Sequence, residues 1–103
     1  MVTVVLDRAR AEVRARGHAG YAEKGRDIVC AAVSALLGAF ARSAPGADVR
    51  DDGETLRLRA RRCADSDAKL ALVEAGLRAL AAEYPEFVSV TVLGRNGRPN
   101  ALQ

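Results

Sequence analysis

A chain of 103 residues can build one hydrophobic core but not two, and with 50% hydrophobic residues it has the material for one. Aromatic residues are only 4%, so Ala, Val, Leu and Ile must fill that core. Sixteen Lys and Arg against thirteen Asp and Glu leave +3, a mild basic bias that scattered solvated arginines explain without a nucleic-acid partner. The start, Met1-Val2-Thr3-Val4-Val5-Leu6-Asp7, lacks the basic region and cleavage site of a signal peptide. The longest uncharged run, Ile28 to Ala41, is 14 residues, which suits a buried helix and is too short to span a bilayer. Two cysteines without an export signal point to free thiols in a reducing cytoplasm, not to a disulfide framework. One His and two distant Cys are too sparse for a zinc site, so no metal is expected.

Val2, Val4 and Leu6 alternate with Thr3 and Val5 and predict a first strand. From Arg8 to Arg16 the alternation is strict, with Ala9, Ala11, Val13 and Ala15 on one face. Arg8, Arg10, Glu12, Arg14 and Arg16 fall on the other, the pattern of an antiparallel strand with one wet side. Gly17 ends it. Asp27 is a good N-cap, able to accept from the amide of Val29 or Cys30, and the helix it starts runs from Ile28 to about Arg42. Val29, Val33, Leu36 and Phe40 lie on one side of this helix. Ile28, Ala32, Ala35 and Ala39 lie on others, so both the sheet and a second helix or another subunit are expected to cover it. Ser43-Ala44-Pro45-Gly46 stops it.

Ala47 to Arg50 and Thr55 to Arg61 predict a hairpin around Asp52-Gly53, with Leu56, Leu58 and Ala60 inward and Arg57, Arg59 and Arg61 outward. Asp65 or Ser66 is the expected cap of a second helix reaching Tyr84. Its apolar stripe is Leu70, Val73, Leu77, Leu80 and Tyr84. Pro85 closes it, and Phe87 to Leu93 form a last strand. The order β-β-α-β-β-α-β is that of an α+β fold: a largely antiparallel sheet of about five short strands with two helices. One domain is expected over 1–93, followed by a flexible tail over 94–103.

The chemistry-bearing stretch is Gly17 to Ser34. With Asp27 as N-cap, Cys30 falls in the first helical turn, where unpaired amides and the positive end of the helix dipole favour a thiolate. The only histidine, His18, lies twelve residues earlier in a glycine-rich loop and is placed to act as general base or acid. The same free amides suit a developing oxyanion. Ser34, four residues after Cys30, and Asp27, three before it, share the helix face of the thiol. Together these residues describe acyl transfer by a cysteine hydrolase. Each also has a packing alternative: a helical Cys is often inert, a His in such a loop is often a turn residue, Asp27 can be only a cap, and Ser34 can bond back to its own helix. Cys63, at a strand end among arginines, is read as incidental.

The joint run Gly17-His18-Ala19-Gly20-Tyr21-Ala22, Gly25 and Asp27-Ile28-Val29-Cys30-Ala31-Ala32-Val33-Ser34 closely resembles the signature of the ribosomal-processing cysteine proteases, the Prp family. The order of elements from residue 2 to residue 93, including Tyr84-Pro85-Glu86 before the last strand, resembles that family too. The resemblance implies a cytoplasmic endopeptidase, generally a homodimer. Such an enzyme removes the N-terminal extension of the large-subunit ribosomal protein numbered twenty-seven. It implies His18 and Cys30 as the catalytic pair, with Asp27, Ser34 and Gly17 binding substrate or organising the site. Gly20 and Gly25 become hinges of a loop that rearranges on binding. No cofactor, metal or membrane is implied, and nucleic acid enters only indirectly, through the ribosome. The alternative is a non-catalytic basic module that binds ribosomal RNA or a ribosomal protein through Arg10, Arg14, Arg57 and Arg59.

Overall fold

A computed structural model describes residues 1–20, 22–23 and 26–94; most of the expected tail therefore lies outside the described residues. The fold is α+β in the expected order: β1 (Val2–Asp7), β2 (Glu12–Arg16), α1 (Ile28–Ser43), β3 (Asp48–Asp51), β4 (Thr55–Arg59), α2 (Ala64–Glu83) and β5 (Val88–Leu93). The strands form one sheet in the order β3-β4-β2-β1-β5. All neighbours are antiparallel except β1 and β5, which run parallel with Val4 opposite Val90.

Period-two alternation gives the sheet two unlike faces. Val2, Val4, Leu6, Val13, Leu58, Val88 and Val92 are buried on one face, packed with Val29, Val33, Leu37 and Phe40 of α1 and Leu70, Val73 and Leu77 of α2. The helices also pack on each other, with α2 against β5 and α1 against β4. Phe40, Leu6, Leu58 and Leu77 are the largest fully buried apolar side chains. Truncating any of them to Ala costs on the order of 2–5 kcal/mol. The other face carries Thr3, Val5, Arg14, Arg16, Arg57 and Arg59, and among the described residues no helix covers it.

Several boundaries differ from the pattern reading, each for a physical reason. The strand expected from Arg8 begins at Glu12, because Arg8 to Ala11 form a turn. Asp7 Oδ1 accepts the amides of Ala9 (3.1 Å) and Arg10 (3.2 Å), and buried Ala11 adopts a left-handed φ of 51°. That turn is tied to α2 by Arg8, whose Nε and Nη2 donate to Glu74 Oε1 at 3.0 and 2.8 Å and Nη2 to Oε2 at 2.7 Å. Glu12, expected on a wet face, is 1% exposed, roofed by Arg14, Arg57 and Arg59 at 3.2–3.6 Å. On α1 the buried leucine is Leu37, not Leu36, which is half-buried. The second helix starts at Ala64 with Cys63 as N-cap, ahead of both Asp65 and Ser66. Ser66 faces inward, fully buried, with its hydroxyl 3.5 Å from Cys63 Sγ. The last strand starts one residue later than expected, at Val88.

Candidate active site

The first helix begins where its cap chemistry dictates. Asp27 has extended backbone angles, and its Oδ1 accepts the Cys30 amide at 2.8 Å. The Ala31 amide donates to the Asp27 carbonyl at 3.0 Å, the first bond of the helical ladder. Asp27 Oδ2 meanwhile accepts from the Ala22 amide at 3.5 Å. One carboxylate thus fixes the helix end and holds the preceding loop against it.

That loop leaves β2 through Gly17, whose φ of +86° only glycine adopts readily; a Cβ there would collide with the Met1 carbonyl oxygen. His18 is exposed, whereas Ala19 is buried in the core at 2% exposure. The imidazole therefore sits beside a fixed anchor, not at the tip of a free loop. Gly20 follows with φ +72° and open space around it.

Beside the helix end lies an open groove of 730 Å³, lined by His18, Gly20, Ala22, Arg26, Asp27, Ile28, Cys30, Ala31 and Ser34. A volume of this size accepts a few residues of extended peptide or a small molecule. Five of the seven residues singled out from sequence line it: His18, Gly20, Asp27, Cys30 and Ser34. Gly17 does not line it and acts instead at the base of the loop. Gly25 lies outside the described residues. Sequence reasoning passed over Ile28 and Arg26. Ile28 is 57% exposed at the groove, an apolar surface beside the thiol whose signal was its position one helical turn from Ala31. Arg26 adds a cation to the rim.

The thiol of Cys30 is half-buried and free. Its side chain and that of His18 form no hydrogen bond among the described residues, with each other or with Asp27. The Ile28 and Val29 amides likewise donate to no acceptor there, while the Cys30 amide is taken by Asp27. The groove thus brings together a thiol, an imidazole and a hydroxyl, beside a carboxylate whose two oxygens accept the Ala22 and Cys30 amides. This is the inventory of thiol-dependent acyl transfer. Among the described residues no group of three or more His, Cys, Asp or Glu is placed to hold a metal ion, and no helix is long and apolar enough to cross a membrane.

Cys63 does stand at a helix N-terminus, contrary to its reading as a strand-end residue. Hydrogen bonds from the Ser66 hydroxyl and from the Ser66 and Asp65 amides, with Arg61 nearby, lower its thiol pKa. It lies outside the groove.

Fold and groove together define a small cysteine hydrolase. The family model described as cysteine protease Prp matches residues 1–89, and the chain belongs to that family. No curated protein matches the chain. Among solved structures it is similar to the essential ribosomal processing protease Prp from Staphylococcus aureus in complex with a covalently linked product peptide. The TM-score is 0.79 and the identity 26%, over 89% of this chain and 99% of that one. The same protease in complex with a substrate peptide gives a TM-score of 0.72 at 23% identity, over 89% and 99% of the two chains. A Streptococcus mutans protein gives 0.63 at 25% identity, over 88% and 90%. The chain is accordingly a cysteine protease.

Proposed function

We propose that this protease removes the N-terminal extension of large-subunit ribosomal protein twenty-seven, with Cys30 as nucleophile and His18 as general base and acid. The observation that carries the reading is the presence of both side chains on one groove at the capped start of α1. The S. aureus relative supports a peptide in that groove, since it is described as a ribosomal processing protease with a covalently linked product peptide.

His18 takes the proton of the Cys30 thiol, and Cys30 Sγ attacks the scissile carbonyl. The amides of Ile28 and Val29, in the first turn of the helix, are the backbone donors we assign to the oxyanion. The tetrahedral intermediate collapses to a thioester as His18 gives its proton to the leaving amine. Water, deprotonated by His18, then attacks the thioester, releasing the acid and restoring the thiol. Because the imidazole and thiol are not hydrogen-bonded in the free protein, substrate binding must draw the His18 loop towards Cys30, using Gly20 and Gly25 as hinges. Gly17 and Ser34 complete the site, the first by shaping the loop base and the second as a hydroxyl donor to substrate. The active form is a homodimer in the cytoplasm, its dimerisation favoured by Ala31, Ala35 and Ala39, which remain exposed on α1.

The test is cleavage of a peptide spanning the extension junction of the host's own ribosomal protein. Cys30→Ala and His18→Ala should each lower kcat/KM by a factor of about 10² or more. Unchanged cleavage in either variant would remove that residue from the mechanism. No cleavage of the junction peptide by the native enzyme would remove the substrate.

A further inference from the structure

The helix-free face of the sheet has a composition that folding does not require. Strand register sets Arg50 opposite Arg57 and Arg57 opposite Arg14, a row of three arginines across β3, β4 and β2. Neighbouring strands are about 5 Å apart, so like charges in such a row repel and cost stability. Arg59 stands in the next row on one side, opposite Glu12 and Asp48, and Arg16 on the other, opposite Thr55 and Thr3. These five side chains share one surface. Glu12 lies within 3.2–3.6 Å of Arg14, Arg57 and Arg59, and Asp48 lies 3.0 Å from Arg50.

The other carboxylates nearby are turned into the backbone. Asp7 accepts the Ala9 and Arg10 amides, Asp51 the Gly53 amide, and Asp52 the Glu54 and Thr55 amides. Glu12 and Asp48 are the carboxylates in ion-pair contact with Arg14, Arg50, Arg57 and Arg59, while the charge of Asp52 reaches Arg16. The cations remain open to solvent: Arg14, Arg57, Arg59 and Arg50 are 36, 49, 52 and 78% exposed in their side chains.

We propose that this face is a docking surface for the phosphate backbone of RNA, separate from the peptide groove. Guanidinium forks take phosphate oxygens two at a time, and a row of them suits a partner with regularly repeated anionic charge. A protein partner would need an apolar or aromatic anchor near the centre of the patch. The strand residues of this face include no aromatic, and its apolar members, Val5 and Leu93, are half-buried. For the same reason bases have nothing to stack on, so recognition is of backbone and shape, not of sequence. The sequence offered direct RNA contact through Arg14, Arg57 and Arg59 only as the alternative to a protease; the register adds Arg50 to that set and makes the patch a second surface of the protease itself. The phosphate contact stands independently of the peptidase reading, while the choice of RNA rests on the ribosomal substrate proposed above.

The experiment is fluorescence anisotropy with a labelled RNA hairpin between 50 and 200 mM salt, and a labelled polyglutamate peptide as the competing anion. The native protein should bind the hairpin, losing affinity steeply with salt, and should bind polyglutamate at least tenfold more weakly. Arg50→Gln with Arg57→Gln should weaken hairpin binding about tenfold at 50 mM salt and reduce the log–log salt slope by about 1.5, two phosphates at roughly 0.7–0.9 each. Arg50→Lys with Arg57→Lys should retain most of the salt slope, and Arg42→Gln on α1 all of it. Peptide cleavage by the Gln variant should match that of the native enzyme, which also shows that it folds. Absence of hairpin binding, binding unchanged in the Gln variant, or polyglutamate binding as tight as RNA would each overturn the proposal.

Discussion

Asp27 serves two neighbours at once: one carboxylate oxygen caps the Cys30 amide and the other reaches the Ala22 amide of the loop. Asp27→Ala should cost about 1 kcal/mol in urea unfolding, the usual worth of an N-cap side chain. Asp27→Asn keeps an acceptor oxygen and should cost less than half of that. If Asn restores stability but not cleavage, the negative charge itself acts in the site; if it restores both, Asp27 is a cap. Gly17 and Gly20 separate in the same manner. Gly17→Ala meets both a left-handed φ and the Met1 carbonyl, and should lose about 2 kcal/mol or more of stability. Gly20→Ala meets only the φ, and should lose about 1 kcal/mol. Thermal and urea unfolding of the two variants check the order.

At the scale of the element, the β3–β4 hairpin depends on Asp52. Its carboxylate accepts the Thr55 amide at 2.7 Å and the Glu54 amide at 2.9 Å, and these bonds lower its pKa. A carboxyl whose folded pKa is depressed adds stability above its unfolded value, near 3.9, and loses it as pH falls through the lower folded value. Amide exchange at Glu54 and Thr55 should therefore accelerate as pH falls below about 4, relative to the intrinsic rate. Asp52→Asn should flatten that dependence. The hairpin was legible because Asp52-Gly53 is a strong local turn signal. Cap chemistry likewise gave the start of α1, since Asp27 acts within three residues of itself. The turn at Arg8 to Ala11 was not legible, because its alternating Arg and Ala residues fit a strand equally well. Nor was Cys63 legible as a cap, because cysteine is a weak capping residue; the helix start is set by the Asp67 amide donating to the Cys63 carbonyl at 2.9 Å and by the inward Ser66.

Over the whole molecule, what the sequence withheld is the long-range pairing. Nothing local in Val88–Leu93 says that it lies parallel to β1, and nothing local in β4 says that it lies beside β2. Those two pairings divide the protein into a helix-covered core face and an arginine-rich open face, with the groove at the start of α1. The groove residues were legible because helical spacing alone sets Asp27, Cys30 and Ser34 on one face. Arg14 and Arg57 were legible as outward cations, but their row with Arg50 was not, because the three come from three strands. Glu12 links the two outcomes, a buried carboxylate that compensates cations whose chain positions are far apart.

The central claim is that Cys30, and not Cys63, forms the acyl-enzyme. Trypsin separates the two thiols, since cutting after Arg26 and Arg42 leaves Cys30 in the fragment 27–42 and cutting after Arg62 and Lys69 leaves Cys63 in 63–69. The protein is mixed with an activated ester of the junction peptide, quenched in acid, digested and examined by mass spectrometry. The account predicts the acyl mass on fragment 27–42, retained in Cys63→Ser and lost in Cys30→Ala. Acyl mass on fragment 63–69, or on neither fragment while the peptide is still cleaved, would contradict it.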